Sequence, residues 1–184
     1  MEKKEEKSRM LWHGKTFDLI SEDQVLPNGK PVTVELIRHP GSSAVVPLLE
    51  EGKVVLIRQY RPAVGDYLWE IPAGAMRPGE DPPACARREL REECGLEGSR
   101  FDELGVIAIA AGYSDERIHL FMATGIRPGE QHLDEDELLT IHVFPFDAAM
   151  EMIQRGEIHE AMTIIGLRMA YRKREGGEGS PGRR

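Results

Sequence analysis

The chain lacks the features of a membrane protein, a secreted protein or a nucleic-acid binder. No run of about 18 apolar residues occurs, so no membrane span is expected. The start, Met1-Glu2-Lys3-Lys4-Glu5-Glu6-Lys7, is charged and has no apolar stretch of the signal-peptide kind. Cysteine is scarce, with only Cys85 and Cys94. On one helix, that separation puts them about 13 Å apart on opposite faces. A disulfide needs Cα atoms within roughly 7 Å, so free thiols and a cytoplasmic location are expected. Basic residues are also in deficit, with 24 Lys and Arg against 32 Asp and Glu and a net charge of −8. That argues against nucleic-acid partners, which need clustered cations for the phosphate backbone. The six histidines show no metal-ligand spacing, and no internal repeat is visible.

What is present suffices for one domain with a real core and a small extra lobe, at 184 residues and 40% apolar. Residues 1–10 read as a charged N-terminal tail, 11–40 as a β-lobe, 41–174 as the main domain and 175–184 as a disordered tail poor in apolar residues. In the lobe, Thr16 to Val25 and Val32 to Ile37 flank Pro27-Asn28-Gly29-Lys30. Asn-Gly between β-favouring runs is a strong hairpin signal, because both residues accept positive φ. Ser43 to Leu49, Lys53 to Tyr60, Tyr67 to Ile71, Phe101 to Ala111, Arg117 to Ala123 and Leu139 to Phe144 read as strands. Val54-Val55-Leu56-Ile57 is continuous enough to be buried on both faces. A helix is predicted over 82–94, with Asp81 as N-cap, Pro82 at the first position and Gly95 as the stop. Two more helices are expected at Phe146 to Arg155 and His159 to Lys173. The alternation suggests an α/β sandwich.

The predicted helix carries Glu89, Glu92 and Glu93 in one stripe, because residues three and four apart are neighbours at 3.6 residues per turn. Like charges at this spacing repel, and a cation in front of them removes the penalty. Carboxylate oxygens suit Mg²⁺ or Mn²⁺, which also bind substrate phosphates. A lone acidic stripe is more often a solvated helix face, with Arg88 pairing to Glu92. The glycine-rich loop upstream, with Glu80 at a fixed distance, shifts the reading to a site.

The full spacing is Gly74-x5-Glu80-x7-Arg88-Glu89-Leu90-x-Glu92-Glu93-x-Gly95-Leu96. It resembles the Nudix hydrolase signature at each defining position. The resemblance implies an α/β/α sandwich with a mixed sheet and hydrolysis of a nucleoside diphosphate linked to another group. It implies that Arg88 orients the glutamates, that Glu89, Glu93 and the carbonyl of Ala73 bind metal with Glu92 beside them, and that Glu80 binds metal or supports the loop. The flanking segments are similar to those of ADP-ribose pyrophosphatases. Arg58-Gln59-Tyr60-Arg61-Pro62-Ala63-Val64 and Leu68-Trp69-Glu70-Ile71-Pro72-Ala73-Gly74 lead into the signature. Arg61 would contact the diphosphate, and Glu70 the substrate or its surroundings. Gly112-Tyr113-Ser114-Asp115-Glu116 resembles a further marker, with Ser114 near the substrate and Glu116 near the metals, although Ala111 stands where many members have proline. In the acidic loop, Glu135 is assigned as general base and Glu137 as metal ligand, with the two roles exchangeable. The lobe implies a homodimer in which Glu35 reaches the partner's adenosine pocket. The function expected is Mg²⁺-dependent cleavage of ADP-ribose to AMP and ribose 5-phosphate. Hydrolysis of another nucleoside diphosphate sugar or dinucleotide is the alternative, and a non-catalytic ligand-sensing module a more distant one.

Overall fold

The run Val54-Val55-Leu56-Ile57 is fully buried within β5 (Lys53–Arg61), as a strand covered on both faces requires. The computed structural model of the chain describes residues 8–133 and 137–176. β5 lies between β6 (Asp66–Glu70) and β10 (Leu139–Pro145), antiparallel to both. A second sheet holds β4 (Ser42–Pro47), β7 (Ala73–Ala75), β8 (Leu96–Ile107) and β9 (Ile118–Pro128), in the order β7-β4-β9-β8. β4 and β9 are parallel and the other neighbours antiparallel, so this sheet is mixed.

Alternation along β4 splits the interior in two. Ala44 and Val46 face one cluster, with Leu56, Leu120 and residues of α2 (Phe146–Gln154) and α3 (Ala161–Gly176). Val45 faces another, with Val55, Ile57, Phe121 and Ala86, Leu90 and Cys94 of α1 (Pro82–Cys94). Side chains on a strand point alternately to opposite faces, so α1 covers one side and α2 with α3 the other. The result is an α/β/α sandwich, as expected.

The lobe is a three-stranded antiparallel sheet of β1 (Ser8–His13), β2 (Asp18–Val25) and β3 (Pro31–Arg38). Four details differ from the sequence reading. β1 begins at Ser8, inside the stretch assigned to the N-terminal tail, because it gains a ladder with β2 that composition does not show. The β2–β3 turn has Gly29 at φ 81°, whereas Asn28 does not adopt positive φ. Leu26 N–H reaches Lys30 O at 2.9 Å, so the loop is longer than a two-residue Asn-Gly turn. β8 starts directly after α1, through Glu97-Gly98-Ser99-Arg100, because pairing with β9 overrides weak local propensity. Finally, α3 runs on to Gly176, two residues into the stretch read as the C-terminal tail, and the remainder of that tail lies outside the described residues.

α1 is bounded as its sequence dictates. Asp81 Oδ1 accepts the Ala84 N–H at 2.7 Å, Pro82 opens the helix, and Gly95 closes it at φ 60°, its N–H donating to Arg91 O. Among the described residues, no helix is long and apolar enough to cross a membrane. A Cβ at Gly95 would meet the Gln131 backbone nitrogen at 3.2 Å, and a left-handed conformation costs a non-glycine residue about 1–2 kcal/mol. Gly95→Ala is therefore expected to destabilise the protein by at least about 1–2 kcal/mol, measured as a lower urea midpoint with an unchanged slope.

Candidate active site

Two adjacent stripes on α1 explain how carboxylates come to be buried. Ala86, Leu90 and Cys94 anchor the helix to the sheet. The neighbouring stripe, Cys85, Glu89 and Glu93, is thereby pressed against β7, Ala73-Gly74-Ala75. Ala73 N–H donates to Glu93 Oε2 at 2.9 Å, and the Cys85 thiol donates to Gly74 O at 3.5 Å. At Gly74 an added Cβ would sit 2.1 Å from Glu89 Oε1. Any side chain at 74 would have to displace the Glu89 carboxylate.

Glu89 and Glu93 are 6% and 1% exposed. Burial, opposed by the Arg88 guanidinium, pushes the Glu89 carboxyl up to about 7. Burial and the neighbouring Glu89 charge push Glu93 well above the usual carboxylate range. Glu137 adds its charge to both, so it stands near them. Glu135 lies outside the described residues.

Arg88 is the hub on the other side. Its Nε and Nη2 donate to the two oxygens of Glu80, both at 2.8 Å. Nη1 donates to Glu89 and, at 3.0 Å, to Glu92 Oε2, while Nη2 also reaches Ala75 O at 3.1 Å. This pairing pushes Glu80 down to about 2 and keeps the guanidinium charged. Glu80 also accepts the Arg77 N–H at 2.9 Å, so both its oxygens are committed to Arg88 and the loop. Arg77 additionally approaches Glu92 at 3.2 Å. Among the described residues no three acidic, His or Cys side chains form a ready metal cage; Arg88 holds Glu89 and Glu92 as they stand. The all-oxygen donor set, with two buried carboxylates raised by burial and mutual repulsion, nonetheless fits a hard divalent cation.

A cleft of about 420 Å³ opens beside this stripe, lined in part by Ala73, Gly74, Arg61, Glu70 and Glu116. Arg61 Nε and Nη2 donate to the two oxygens of Glu70, a carboxylate 1% exposed, and this keeps the guanidinium charged. Among the described residues Nη1 makes no hydrogen bond. The Ser42 hydroxyl donates to Glu116 Oε1 at 2.7 Å, and His39 Nδ1, which accepts the Gly41 N–H, lies 3.6 Å from the same oxygen. The structure thus gathers Ala73, Glu89, Glu93, Arg88, Glu80, Glu92, Arg61, Glu70, Glu116 and Glu137 in one region. Ser114 is buried, and its hydroxyl accepts the Glu116 N–H at 3.2 Å inside the loop. Glu35 is exposed on β3, opposite Ser21, and does not line the cleft. Sequence reasoning missed His39, Ser42 and Glu160, which line or support the cleft. No spacing marks them, because their approach depends on the β4–β9 pairing and on α3. Trp69 is half-buried and packs edge-on against His142 and Phe144 at 4.8 and 5.3 Å, while Tyr113 is exposed.

The family model that matches is the NUDIX domain, over residues 38–163. The chain belongs to the Nudix family. It is 37% identical over 168 residues to the methanol dehydrogenase activator of Bacillus methanolicus, covering 90% of this chain and 91% of that protein. It is 32% identical over 169 residues to the ADP-ribose pyrophosphatase of Bacillus subtilis, covering 91% of each. A mycobacterial ADP-ribose pyrophosphatase, from Mycobacterium tuberculosis, is 36% identical over 165 residues, with 87% of this chain and 79% of that protein covered. A solved structure described as an ADP compounds hydrolase superposes with a TM-score of 0.79 at 24% identity, over 94% of both chains, and shows the shared Nudix fold.

The raised carboxyls fix the sign of a pH effect. Glu89 ionises at about 7 when folded, against an ordinary value of 4.5. Its contribution to stability is complete below 4.5 and is lost as pH rises through 7, and Glu93 acts in the same direction. The thermal midpoint of chelator-treated protein is expected to fall across that window, and Glu89→Gln to reduce the slope. A divalent cation, which binds the ionised carboxylates, should raise the midpoint most at the upper end. A midpoint that rises with pH in chelator would contradict the burial argument.

Proposed function

We propose that this Nudix chain hydrolyses the diphosphate of ADP-ribose, giving AMP and ribose 5-phosphate with Mg²⁺ as the working cation. The observation that carries the reading is the pair of buried carboxylates, Glu89 and Glu93, beside a cleft that holds the Arg61–Glu70 pair. The ADP-ribose pyrophosphatases among the relatives support the choice of substrate. A bound divalent ion supplies charge neutralisation at the diphosphate and makes water a better nucleophile. In our reading Glu89, Glu93, Glu137 and the Ala73 carbonyl hold it. Arg88 keeps Glu89 and Glu92 in register and Glu80 keeps Arg88 in place, so the glutamates are preorganised rather than recruited. The free Nη1 of Arg61 is placed to donate to a phosphate oxygen. Glu135 is proposed as the base that takes the proton from water, its role exchangeable with that of Glu137. Glu116, held by Ser42, is assigned to the far side of the metal region.

The lobe exposes Met10, Leu11, Trp12 and Phe17, with relative exposures of 38–53%. An apolar group of this kind on one lobe supports a homodimer through it, and Glu35 is proposed to act across that interface. The protein is proposed to work in the cytoplasm, where both thiols stay free.

A panel of nucleoside diphosphate compounds with Mg²⁺ should show the highest kcat/KM for ADP-ribose. Faster turnover of GDP-mannose would favour the alternative suggested by GDP-mannose pyrophosphatases of Escherichia coli, 32% identical over 172 residues. Glu93→Gln is expected to lower kcat at least about 100-fold, the scale set by loss of one preorganised transition-state contact. A Glu93→Gln variant of wild-type rate would remove the basis of the proposal.

A further inference from the structure

The segment from Glu70 to Ala73 is where the chain passes from one sheet to the other. Glu70 is the last residue of β6 to pair, with Ile57, and Ala73 is the first of β7, paired with Ala44. The two ends of this segment touch the site. Glu70 binds Arg61, and Ala73 N–H binds Glu93. Pro72 O accepts the Val45 N–H at 2.9 Å, and Pro72 has no N–H of its own to give. Ile71, fully buried, would have an unanswered N–H at this crossing. It donates to the Thr163 hydroxyl oxygen at 3.0 Å, and Thr163 is itself 0% exposed.

Thr163 comes from a distant part of the chain, the first turn of α3. That turn is held by Glu160, whose two oxygens accept the N–H groups of Met162 and Thr163 at 3.0 and 2.7 Å. One turn later Gly166 faces the same residue, and a Cβ there would lie 2.7 Å from Ile71 Cδ1. Residues three apart share a helix face, so Thr163 and Gly166 together seat α3 on Ile71. A helix with no residue on the carboxylate stripe is thus bonded to the backbone between the Arg61 partner and the Glu93 partner.

We propose that Thr163 is a positioning residue for hydrolysis: its hydroxyl sets the Glu70–Ala73 segment, and through it the Arg61–Glu70 pair and the backbone of Ala73. This rests on the hydrolase reading but not on ADP-ribose as substrate. A buried N–H that loses its acceptor carries its full desolvation penalty and drives the segment to seek another partner. Displacements of about 1 Å in positioning elements cost on the order of 100-fold in rate.

The experiment compares Thr163→Val, which keeps the volume and removes the acceptor, with Thr163→Ser, which keeps the acceptor and removes a methyl. Leu167→Ala, a buried change elsewhere on α3, serves as a control for lost stability. Rates are taken on whichever nucleoside diphosphate compound the wild type turns over best, so that a wrong substrate assignment does not touch this test. Thr163→Val is expected to lose about 10- to 100-fold in kcat/KM, with both kcat and KM altered. Thr163→Ser should stay within about threefold of wild type, and Leu167→Ala should lose thermal stability with near-normal kinetics. Independently of activity, amide exchange at Ile71 should accelerate at least about tenfold in the Val variant and not in the Ser variant. Should Thr163→Val fail to fold, Thr163→Ala takes its place with the same expectations. The proposal is overturned by a folded Val or Ala variant with kcat/KM within twofold of wild type, by equal losses in the Ser and Val variants, or by unchanged Ile71 exchange.

Discussion

The site depends on one forced burial. α1 is fastened to the sheet by Ala86, Leu90 and Cys94, and that attachment carries Glu89 and Glu93 against β7. Two carboxylates at this spacing repel and lose their water. The protein answers with the Ala73 N–H, the Arg88 guanidinium and, at longer range, the Arg61 guanidinium. The rest is arranged around that incomplete answer: glycine at 74 makes room, Glu80 fixes Arg88, and Glu92 takes its remaining reach. The unmet part of the electrostatic demand is what a divalent cation would satisfy.

Much of this was legible in the sequence, and the legible part follows local rules. Asp81, Pro82 and Gly95 mark the ends of α1 because capping and the left-handed stop are properties of single residues. The glutamate stripe is readable because helical period alone places 89, 92 and 93 together. The buried run of β5 is readable because no other environment takes four consecutive apolar residues so cheaply in a short strand. What escaped depends on pairing between distant segments. β7 is Ala-Gly-Ala, with no strand propensity, and exists because β4 lies beside it. β8 extends through Glu97 to Arg100 because β9 supplies a ladder there. Ser42 and His39 reach Glu116 only because β4 and β9 run side by side. No spacing in the chain encodes that meeting.

The Arg61–Glu70 pair shows the same division. Its two residues occur in segments that resemble those of pyrophosphatases, yet their mutual commitment is a fact of geometry. Two of the three guanidinium nitrogens are given to a carboxylate that is almost fully buried. The pair is therefore a nearly neutral unit in which the Nη1 end of the guanidinium is not used by Glu70. In the proposed hydrolysis such a pair would orient a substrate more than neutralise it, and neutralisation of a diphosphate would fall to a bound cation.

The parallel pairing of β4 with β9 has a consequence for how the molecule comes to exist. Ser42 and Glu116, joined by a hydrogen bond across the strand ends, are 74 residues apart in sequence, and the whole of α1 with its glutamates lies in the loop that this pairing closes. Closing so long a loop costs entropy before any contact returns it. Ser42 and Glu116 thus meet only when the intervening chain, α1 and its glutamates included, is ordered with them, whereas Arg61 and Glu70, nine residues apart on neighbouring strands, meet locally.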